Sequence, residues 1–305
     1  MAREEDVSEQ MEYSDDELII RKKKQPERKT GVTAAGVLQT AAEALDALRA
    51  KRPLVACMTN MVAADATARA LKALGAPCAM VADLGEASQC TSAADALLVN
   101  VGAATKPQTD AMRAAVSHAN MGGRPWALDP VGVGALPLRT FTVKELMRRF
   151  PALIRGNAAE IRFLVHNEVP ARGAALASDD VAQDAARLAG VTHAAVLLTG
   201  ATDYVAAEGA PLVAIGNGAA LMGRVAGLGS VQGALGAAFL GALGGKARWE
   251  SALATALVTA LAGERAAAAA QGPGSFVPAF LDALDALTPD DVRAGGKVQV
   301  LAAEG

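Results

Sequence analysis

The chain has 305 residues, of which 52% are hydrophobic and 20% are charged, and its 29 basic and 32 acidic side chains leave a net charge of -3. A chain of this length forms one large domain or two small ones, and it buries enough apolar surface to fold without disulfides or structural metals. The near-neutral charge argues against a nucleic-acid-binding protein, which needs a basic face, and an aromatic content of 3% argues against a base-stacking surface.

The first 32 residues differ in composition from the rest of the chain. They carry the acidic run Asp15-Asp16-Glu17 and the basic run Arg21-Lys22-Lys23-Lys24, and their only apolar run is Leu18-Ile19-Ile20. Such a segment buries too little apolar surface to order itself, and it lacks the long apolar stretch of a secretory signal. We therefore predict a disordered, charged tail over residues 1–32.

From residue 33 onward, short apolar runs alternate with helical patterns. The predicted strands span residues 54–58, 78–82, 96–100, 125–129, 152–155 and 194–198, and the clearest predicted helices span residues 37–48, 62–74, 107–120 and 178–189. Thr142 and Glu145 have the spacing of a capping box, which predicts the start of another helix. Strands that alternate with helices indicate an α/β fold, a mostly parallel sheet with helices on both faces.

The segment over residues 225–245 carries no charged side chain. It consists mainly of Gly and Ala, with Ser230 and Gln232, and such residues gain little from a lipid environment. We therefore expect a buried helix that ends near Leu243, and no membrane partner.

The carboxyl ends of the predicted strands are where a parallel α/β sheet binds its ligand. The polar and other candidate residues at these ends are Thr59, Asn60, Met80, Asp83, Asn100, Asp129, Arg155, Asn157, Glu160, Thr199 and Asp203. This clustering favours a binding site on a rigid scaffold. Loops in general are also rich in Gly and Asn, so the pattern has a second explanation.

The sequence Gly227-Leu228-Gly229-Ser230 stands at the start of the predicted Gly/Ala helix. Free amide groups and the helix dipole at such a start attract an anion, so one interpretation is a phosphate cradle. The other is that these glycines only allow close helix packing. The spacing of Gly227, Gly229 and Gly233 does not match the G-x-G-x-x-G of dinucleotide-binding folds, and Gly244-Gly245-Lys246-Ala247 does not match a P-loop.

Two carboxylates and one arginine complete the candidate site. Asp129 and Glu160 follow predicted strands, and two carboxylates beside a phosphate can hold Mg²⁺ largely through water. Arg155 lies shortly before Glu160 and can clamp a phosphate through two hydrogen bonds. An ordinary ion pair between Arg155 and an acidic side chain accounts for the arginine equally well.

The three cysteines, Cys57, Cys78 and Cys90, have no C-x-x-C spacing and no nearby histidine. They therefore indicate neither a disulfide framework nor a zinc site. We expect a reducing compartment and hence a cytoplasmic protein.

Seven segments resemble, in their order and spacing, those of the hydroxyethylthiazole kinase family. They are residues 57–60 (CMTN), 79–81 (AMV), 98–102 (LVNVG), 128–135 (LDPVGVGA), 154–161 (IRGNAAEI), 198–200 (LTG) and 272–276 (GPGSF). The resemblance places a kinase domain at residues 33–288 and leaves residues 289–305 as a C-terminal tail. It implies a ribokinase-like three-layer fold and a homotrimer with substrate sites between subunits.

The resemblance also implies an activity and a set of site residues. Members of the family use ATP and Mg²⁺ to phosphorylate the hydroxyl of 4-methyl-5-(2-hydroxyethyl)thiazole, a small-molecule substrate, in thiamine biosynthesis or salvage. The implied residues are Asn60, Val62, Met80 and Gly227 for the thiazole, Arg155 and Thr199 for ATP, Asp129 and Glu160 for Mg²⁺, and Gly227, Gly229 and Ser230 at the reacting end.

The chain departs from the family pattern at the reacting end. The pattern there is Gly-Thr/Ala-Gly-Cys, whereas this chain has Leu228 and Ser230, and Ala201 replaces a glutamate. Ser230 thus occupies the position where related sugar kinases have an aspartate base, and a serine hydroxyl is a poor base. Leu228 either crowds the cradle or points into the core. Two alternatives therefore stay open: a weakened or non-catalytic homologue that binds thiazole or nucleotide, and a kinase of another small alcohol.

Overall fold

The computed structural model describes residues 7–14, 17–24, 31–169 and 177–301 of the chain. Its strands are β1 (Val7–Ser14), β2 (Glu17–Lys24), β3 (Val55–Met58), β4 (Cys78–Met80), β5 (Ala96–Asn100), β6 (Trp126–Asp129), β7 (Leu153–Asn157), β8 (Ala195–Thr199), β9 (Asp203–Ala206), β10 (Leu212–Ile215) and β11 (Val298–Leu301). Within this part of the chain, nine strands form one sheet in the order β11-β10-β9-β8-β7-β6-β5-β3-β4. The strands from β4 to β8 are parallel, and β9, β10 and β11 continue the sheet in antiparallel pairing.

Helices cover both faces of this sheet. They are α1 (Ala34–Lys51), α2 (Ala64–Leu74), α3 (Leu84–Ala93), α4 (Lys106–Met121), α5 (Pro137–Met147), α6 (Ala158–His166), α7 (Ser178–Thr192), α8 (Leu228–Leu243), α9 (Arg248–Ala269), α10 (Pro273–Ala286) and α11 (Pro289–Gly295), and a short 3₁₀ helix spans Ala220–Arg224. Successive strand residues point to opposite faces. In β5, Leu98 therefore belongs to the apolar cluster on the face of α1, α8 and α9, whereas Leu97 and Val99 belong to the cluster on the face of α4 to α7. The predicted three-layer α/β fold is confirmed.

Helix α8 lies in the core, as the sequence predicted. A Cβ added at Gly236 would lie 2.5 Å from the side chain of Leu153 in β7, and one at Gly233 would lie 3.3 Å from a carboxylate oxygen of Asp129. These two glycines therefore serve close packing of the helix on the sheet. Among the described residues, one helix, α9, is long and apolar enough to cross a membrane, and 72% of its most apolar window is buried inside the fold. That burial is typical of a core helix.

The predicted capping box at Thr142 and Glu145 is wrong. Helix α5 begins at Pro137, so Thr142 lies in its middle and donates its hydroxyl to the carbonyl of Leu138 at 2.8 Å. Proline is favoured at the first helical position because its φ is already helical and it lacks the amide hydrogen that would stay unpaired there. Glu145 forms an ion pair with Arg113 of α4 instead.

Both chain ends differ from the predicted tails. Strands β1 and β2 form an antiparallel ribbon in whose register Glu9 lies opposite Lys22. Residues 1–6, 15–16 and 25–30 of the predicted tail lie outside the described residues. Near the other end, α11 begins with a capping box formed by Thr288 and Asp291, and β11 pairs with β10. Residues 289–301 therefore extend the fold past the predicted boundary at 288, and residues 302–305 lie outside the described part.

Candidate active site

The candidate site lies where the parallel strands end and α8 begins. Asn60 follows β3, Asn100 and Asp129 end the neighbouring strands β5 and β6, and Thr199 ends β8. Parallel pairing puts these ends at one edge of the sheet, with Asn100 directly opposite Asp129. These four residues therefore lie along one edge of the sheet, as the ends of parallel strands must.

The first turn of α8 presents free amide groups to this edge. Gly227 is its N-cap with a φ of 83°, a left-handed conformation that favours glycine, and no side chain caps the turn. The first backbone bond of the helix runs from the amide of Val231 to the carbonyl of Gly227. The preceding amides therefore have no helical acceptor, and together with the helix dipole they favour an anion. A Cβ at Gly227 would lie 3.4 Å from Ala63, so this turn packs against the loop after β3.

Arg155 lies beside the same turn. Its Nη2 donates to the hydroxyl of Thr199 at 2.8 Å, and its Nη1 lies 3.8 Å from Oδ1 of Asp129. A Cβ added at Gly229 would lie 2.7 Å from Nη1, so the guanidinium rests on the backbone of this glycine. The guanidinium thus lies beside both Asp129 and the first turn of α8, and the two interpretations of Arg155 from the sequence stay open on this geometry.

Two asparagines join Ser230 to Asp129. Asn100 donates from Nδ2 to Oδ2 of Asp129 and to the hydroxyl oxygen of Ser230, the latter at 3.0 Å. Asn60 donates from Nδ2 to Oδ1 of Asn100 at 3.0 Å and to the Ser230 oxygen at 3.4 Å. Asn60, predicted to contact the thiazole, thus lies in one hydrogen-bonded chain with the predicted reacting and metal residues.

Asp129 is fully buried, and this burial raises the pKa of its carboxyl to about 7, although the nearby Arg155 charge and the Asn100 hydrogen bond oppose the shift. Its Oδ1 has no hydrogen-bond partner among the described residues. A buried carboxylate oxygen without a partner is costly, and a bound cation would offset that cost.

Glu160 is held in place by backbone amides. Its Oε1 accepts from the amide of Gly132 at 3.0 Å, and its Oε2 accepts from the amide of Asn157 at 2.9 Å, within a capping box at the start of α6. No group of three or more potential ligands among His, Cys, Asp and Glu occurs in the described residues. The carboxylate oxygens of Asp129 and Glu160 are of the donor type that fits Mg²⁺, which keeps several of its waters.

The sequence analysis assigned no role to two further residues of the site, Gln232 and Asp203. Arg155 donates from Nε to Gln232 at 3.3 Å, and Gln232 donates to Asp203 at 3.4 Å. Burial raises the pKa of the Asp203 carboxyl to about 6, against the lowering effect of its hydrogen bond from the Gly200 amide. The signal for Gln232 was a polar side chain in an otherwise apolar helix.

The predicted thiazole contacts Val62 and Met80 lie on an exposed apolar surface at the sheet edge. Val62 is 72% exposed and Met80 is 40% exposed, and Met61 and Leu84 beside them are exposed as well. Strand β4, which ends at Met80, is the last strand of the sheet on this side. The structure therefore places Asn60 in the polar chain and leaves Val62 and Met80 at its open rim.

Leu228 does not point into the cradle. Its half-buried side chain packs against the core formed by α2, α8, α9 and α10, and with Phe276 and Phe280 of α10 it lines a small apolar cavity. The first of the two sequence-based interpretations, that Leu228 crowds the phosphate cradle, therefore does not apply.

Known proteins share both the sequence and the fold. The model of the hydroxyethylthiazole kinase family matches residues 45–290. A hydroxyethylthiazole kinase from Cronobacter sakazakii is 46% identical over 248 residues, which cover 81% of this chain and 92% of the relative. The structure of a hydroxyethylthiazole kinase protein from Pyrococcus horikoshii OT3 is similar with a TM-score of 0.79 and 32% identity, covering 86% of this chain and 99% of that one.

A more distant structure shares the fold alone. A ribokinase-like superfamily protein from Enterococcus faecalis is 12% identical, with a TM-score of 0.55, covering 84% of this chain and 96% of that one. The three-layer arrangement is therefore ribokinase-like, as the resemblance implied.

Proposed function

The chain belongs to the hydroxyethylthiazole kinase family, and from that premise we propose that it transfers the γ-phosphoryl group of ATP to the hydroxyl of 4-methyl-5-(2-hydroxyethyl)thiazole. The observation that carries the proposal is the meeting of Arg155 with the uncapped first turn of α8. A cation and free amides that converge at one point supply what a transferring phosphoryl group needs.

The ATP phosphates bind between Arg155 and the amides of residues 227–230. Arg155 is oriented by Thr199 and Gln232, so its remaining donors are held toward the cradle. A guanidinium held in this way loses little conformational freedom when it binds a phosphate. Thr199, at the end of β8, acts on ATP by holding Arg155 in place through their hydrogen bond.

Asp129 and Glu160 are the proposed Mg²⁺ residues. Oδ1 of Asp129, which has no hydrogen-bond partner among the described residues, would be the ligand, and Glu160, fixed by two backbone amides, would hold water bound to the ion. When bound, the ion supplies positive charge that offsets the charge of the phosphates. In the absence of the ion, burial raises the pKa of the Asp129 carboxyl to about 7, and a bound cation would stabilise its charged form.

The thiazole lies at the rim formed by Asn60, Val62 and Met80, with its alcohol directed toward Gly227. A second subunit of a homotrimer covers this rim, because Met61 at 88% exposure, Val62 and Met80 form an apolar surface at an open sheet edge. Unpaired sheet edges and clustered apolar side chains are features of subunit interfaces. The three free cysteines support the cytoplasm as the location of the enzyme.

In the reaction, the alcohol oxygen forms a bond to the γ-phosphorus while the bond from that phosphorus to the β–γ bridging oxygen breaks. ADP leaves, and the alcohol proton is released. Because the transition state is loose, positioning and charge neutralisation provide most of the acceleration, and general-base help contributes roughly 10²–10⁴-fold. A serine at position 230 is therefore compatible with turnover.

Purified protein incubated with ATP, Mg²⁺ and a panel of small alcohols tests the proposal. We expect the thiazole alcohol to give ADP and a phosphorylated product at the highest kcat/KM of the panel. Tight thiazole or nucleotide binding without turnover of any alcohol would identify a non-catalytic homologue. A higher kcat/KM for another alcohol would identify a different kinase specificity.

A further inference from the structure

Ser230 stands at the reacting end, and in both of its side-chain hydrogen bonds to asparagine its hydroxyl oxygen is the acceptor. The side chain is 7% exposed, in the first turn of α8. Its side chain is hydrogen-bonded to Asn60 and Asn100, and the donor and acceptor in each of these bonds can be assigned.

Backbone amides fix the orientation of both asparagines. The amide of Ala63 donates to Oδ1 of Asn60 at 3.1 Å, and the amide of Gly102 donates to Oδ1 of Asn100 at 2.9 Å. A backbone N–H can only donate, so in each asparagine the atom that faces it must be the oxygen. The Nδ2 groups of Asn60 and Asn100 therefore face Ser230 as donors.

The Ser230 oxygen accepts from both amide groups, at 3.0 Å from Asn100 and 3.4 Å from Asn60. A hydroxyl has two acceptor positions and one hydrogen, so these contacts leave it only the hydrogen to offer. No acceptor for that hydrogen occurs among the residues that the structure describes, although the side chain is more than nine-tenths buried. An unpaired buried hydroxyl is costly unless a ligand completes its bonds.

We propose that Ser230 donates a hydrogen bond to an oxygen of the transferring phosphoryl group and that Asn100 is the positioning residue that aims it. The inference rests on the proposed kinase function and assigns the site's serine a role opposite to that of a base. With the amides of the first turn of α8, the hydroxyl adds a further donor where negative charge gathers.

The binding of two nucleotides isolates this hydrogen bond. We would measure the affinities of AMP-PCP and ADP by calorimetry in Mg²⁺ buffer, because only AMP-PCP carries the terminal phosphate that Ser230 contacts. Ser230→Ala should weaken AMP-PCP binding roughly ten-fold and leave ADP binding unchanged, since a hydrogen bond to a charged group is lost. Ser230→Thr, which keeps the hydroxyl, should bind AMP-PCP like the wild type.

Ser251→Ala is the matched control. Ser251 is also a buried serine near the start of a helix, α9, but its hydroxyl donates to the carbonyl of Ala247, the N-cap of that helix. Its replacement should leave both nucleotide affinities unchanged. Circular dichroism and thermal unfolding show whether each variant is folded.

Equal AMP-PCP affinity in folded Ser230→Ala and the wild type would overturn the proposal. If the wild type bound neither nucleotide, the kinase function itself would fall, and this inference with it. The pH profile of kcat gives a second readout: loss of a donor lowers kcat by the same factor at every pH, whereas loss of a base would remove the acidic limb of the profile.

Discussion

The guanidinium of Arg155 rests on the backbone of Gly229, so closely that a Cβ at position 229 would lie 2.7 Å from Nη1 and 2.8 Å from Nη2. Gly229 does not have a positive φ, and its requirement for glycine is therefore steric. The contact joins the arginine of β7 to the first turn of α8, and the proposed phosphate site depends on it.

Gly229→Ala should displace Arg155 and raise the KM for ATP about ten-fold, because the guanidinium must move away from the amides that share its phosphate. Steady-state kinetics with varied ATP would measure the change, and the KM for the alcohol should move less. Gly190→Ala is the control, since Gly190 lies in α7 with nothing within 4 Å of an added Cβ. An unchanged KM for ATP in folded Gly229→Ala would contradict the proposed clamp.

Leu228→Ala should lower the free energy of unfolding and leave the kinetics intact. The side chain packs against the core and lines a cavity with Phe276 and Phe280. Loss of a half-buried leucine costs about 1–2 kcal/mol, less than at a fully buried site. Urea denaturation and steady-state kinetics would measure both effects. A large rise in kcat on removing Leu228 would show that it obstructs the cradle after all.

Gln232→Leu should weaken ATP binding about five-fold, because Nε of Arg155 and a carboxylate oxygen of Asp203 would each lose a partner. Leucine has a similar volume, so packing in α8 is largely kept. The KM for ATP measures the effect on Arg155. The account of Gln232 would fail if this KM stayed at the wild-type value.

Asp203→Asn should change how stability depends on pH. The pKa of Asp203 is raised to about 6 in the folded protein, against about 3.9 in an unfolded chain. Between these values the folded state binds the proton more tightly, so the stability of the wild type falls as pH rises from about 4 to about 6. The asparagine variant lacks this loss.

Urea denaturation of the wild type and Asp203→Asn at several pH values from 4 to 7 measures this difference. The wild-type free energy of unfolding, relative to the variant, should fall by on the order of 2 kcal/mol between about pH 4 and about pH 6 and level off toward pH 7. A constant difference would show that Asp203 is already ionised throughout.

Much of this architecture could be predicted from the sequence because buried parallel strands leave a simple signal. The run over residues 96–100 is apolar throughout, since both faces of β5 are covered, and a polar residue marks its end. The same rule predicts that Asn60, Asn100 and Asp129, which follow or end parallel strands, lie at one edge of the sheet.

The features that could not be predicted from the sequence depend on contacts between residues distant in the chain. The partners of Gln232 are Arg155 and Asp203, on two different strands, and no local pattern specifies them. The direction of Leu228 depends on α10, whose packing residues follow nearly fifty positions later. The capping box predicted at Thr142 was wrong because the same residue spacing also occurs inside helices. Helix α5 already begins at Pro137.

The most direct test of the account is a crystal structure of the protein with AMP-PCP, Mg²⁺ and the thiazole alcohol. We predict the terminal phosphate within hydrogen-bonding distance, about 3 Å, of the amides of residues 228–230 and of the Arg155 guanidinium, facing the hydroxyl of the thiazole. A terminal phosphate bound elsewhere, with no ligand at the first turn of α8, would contradict the account.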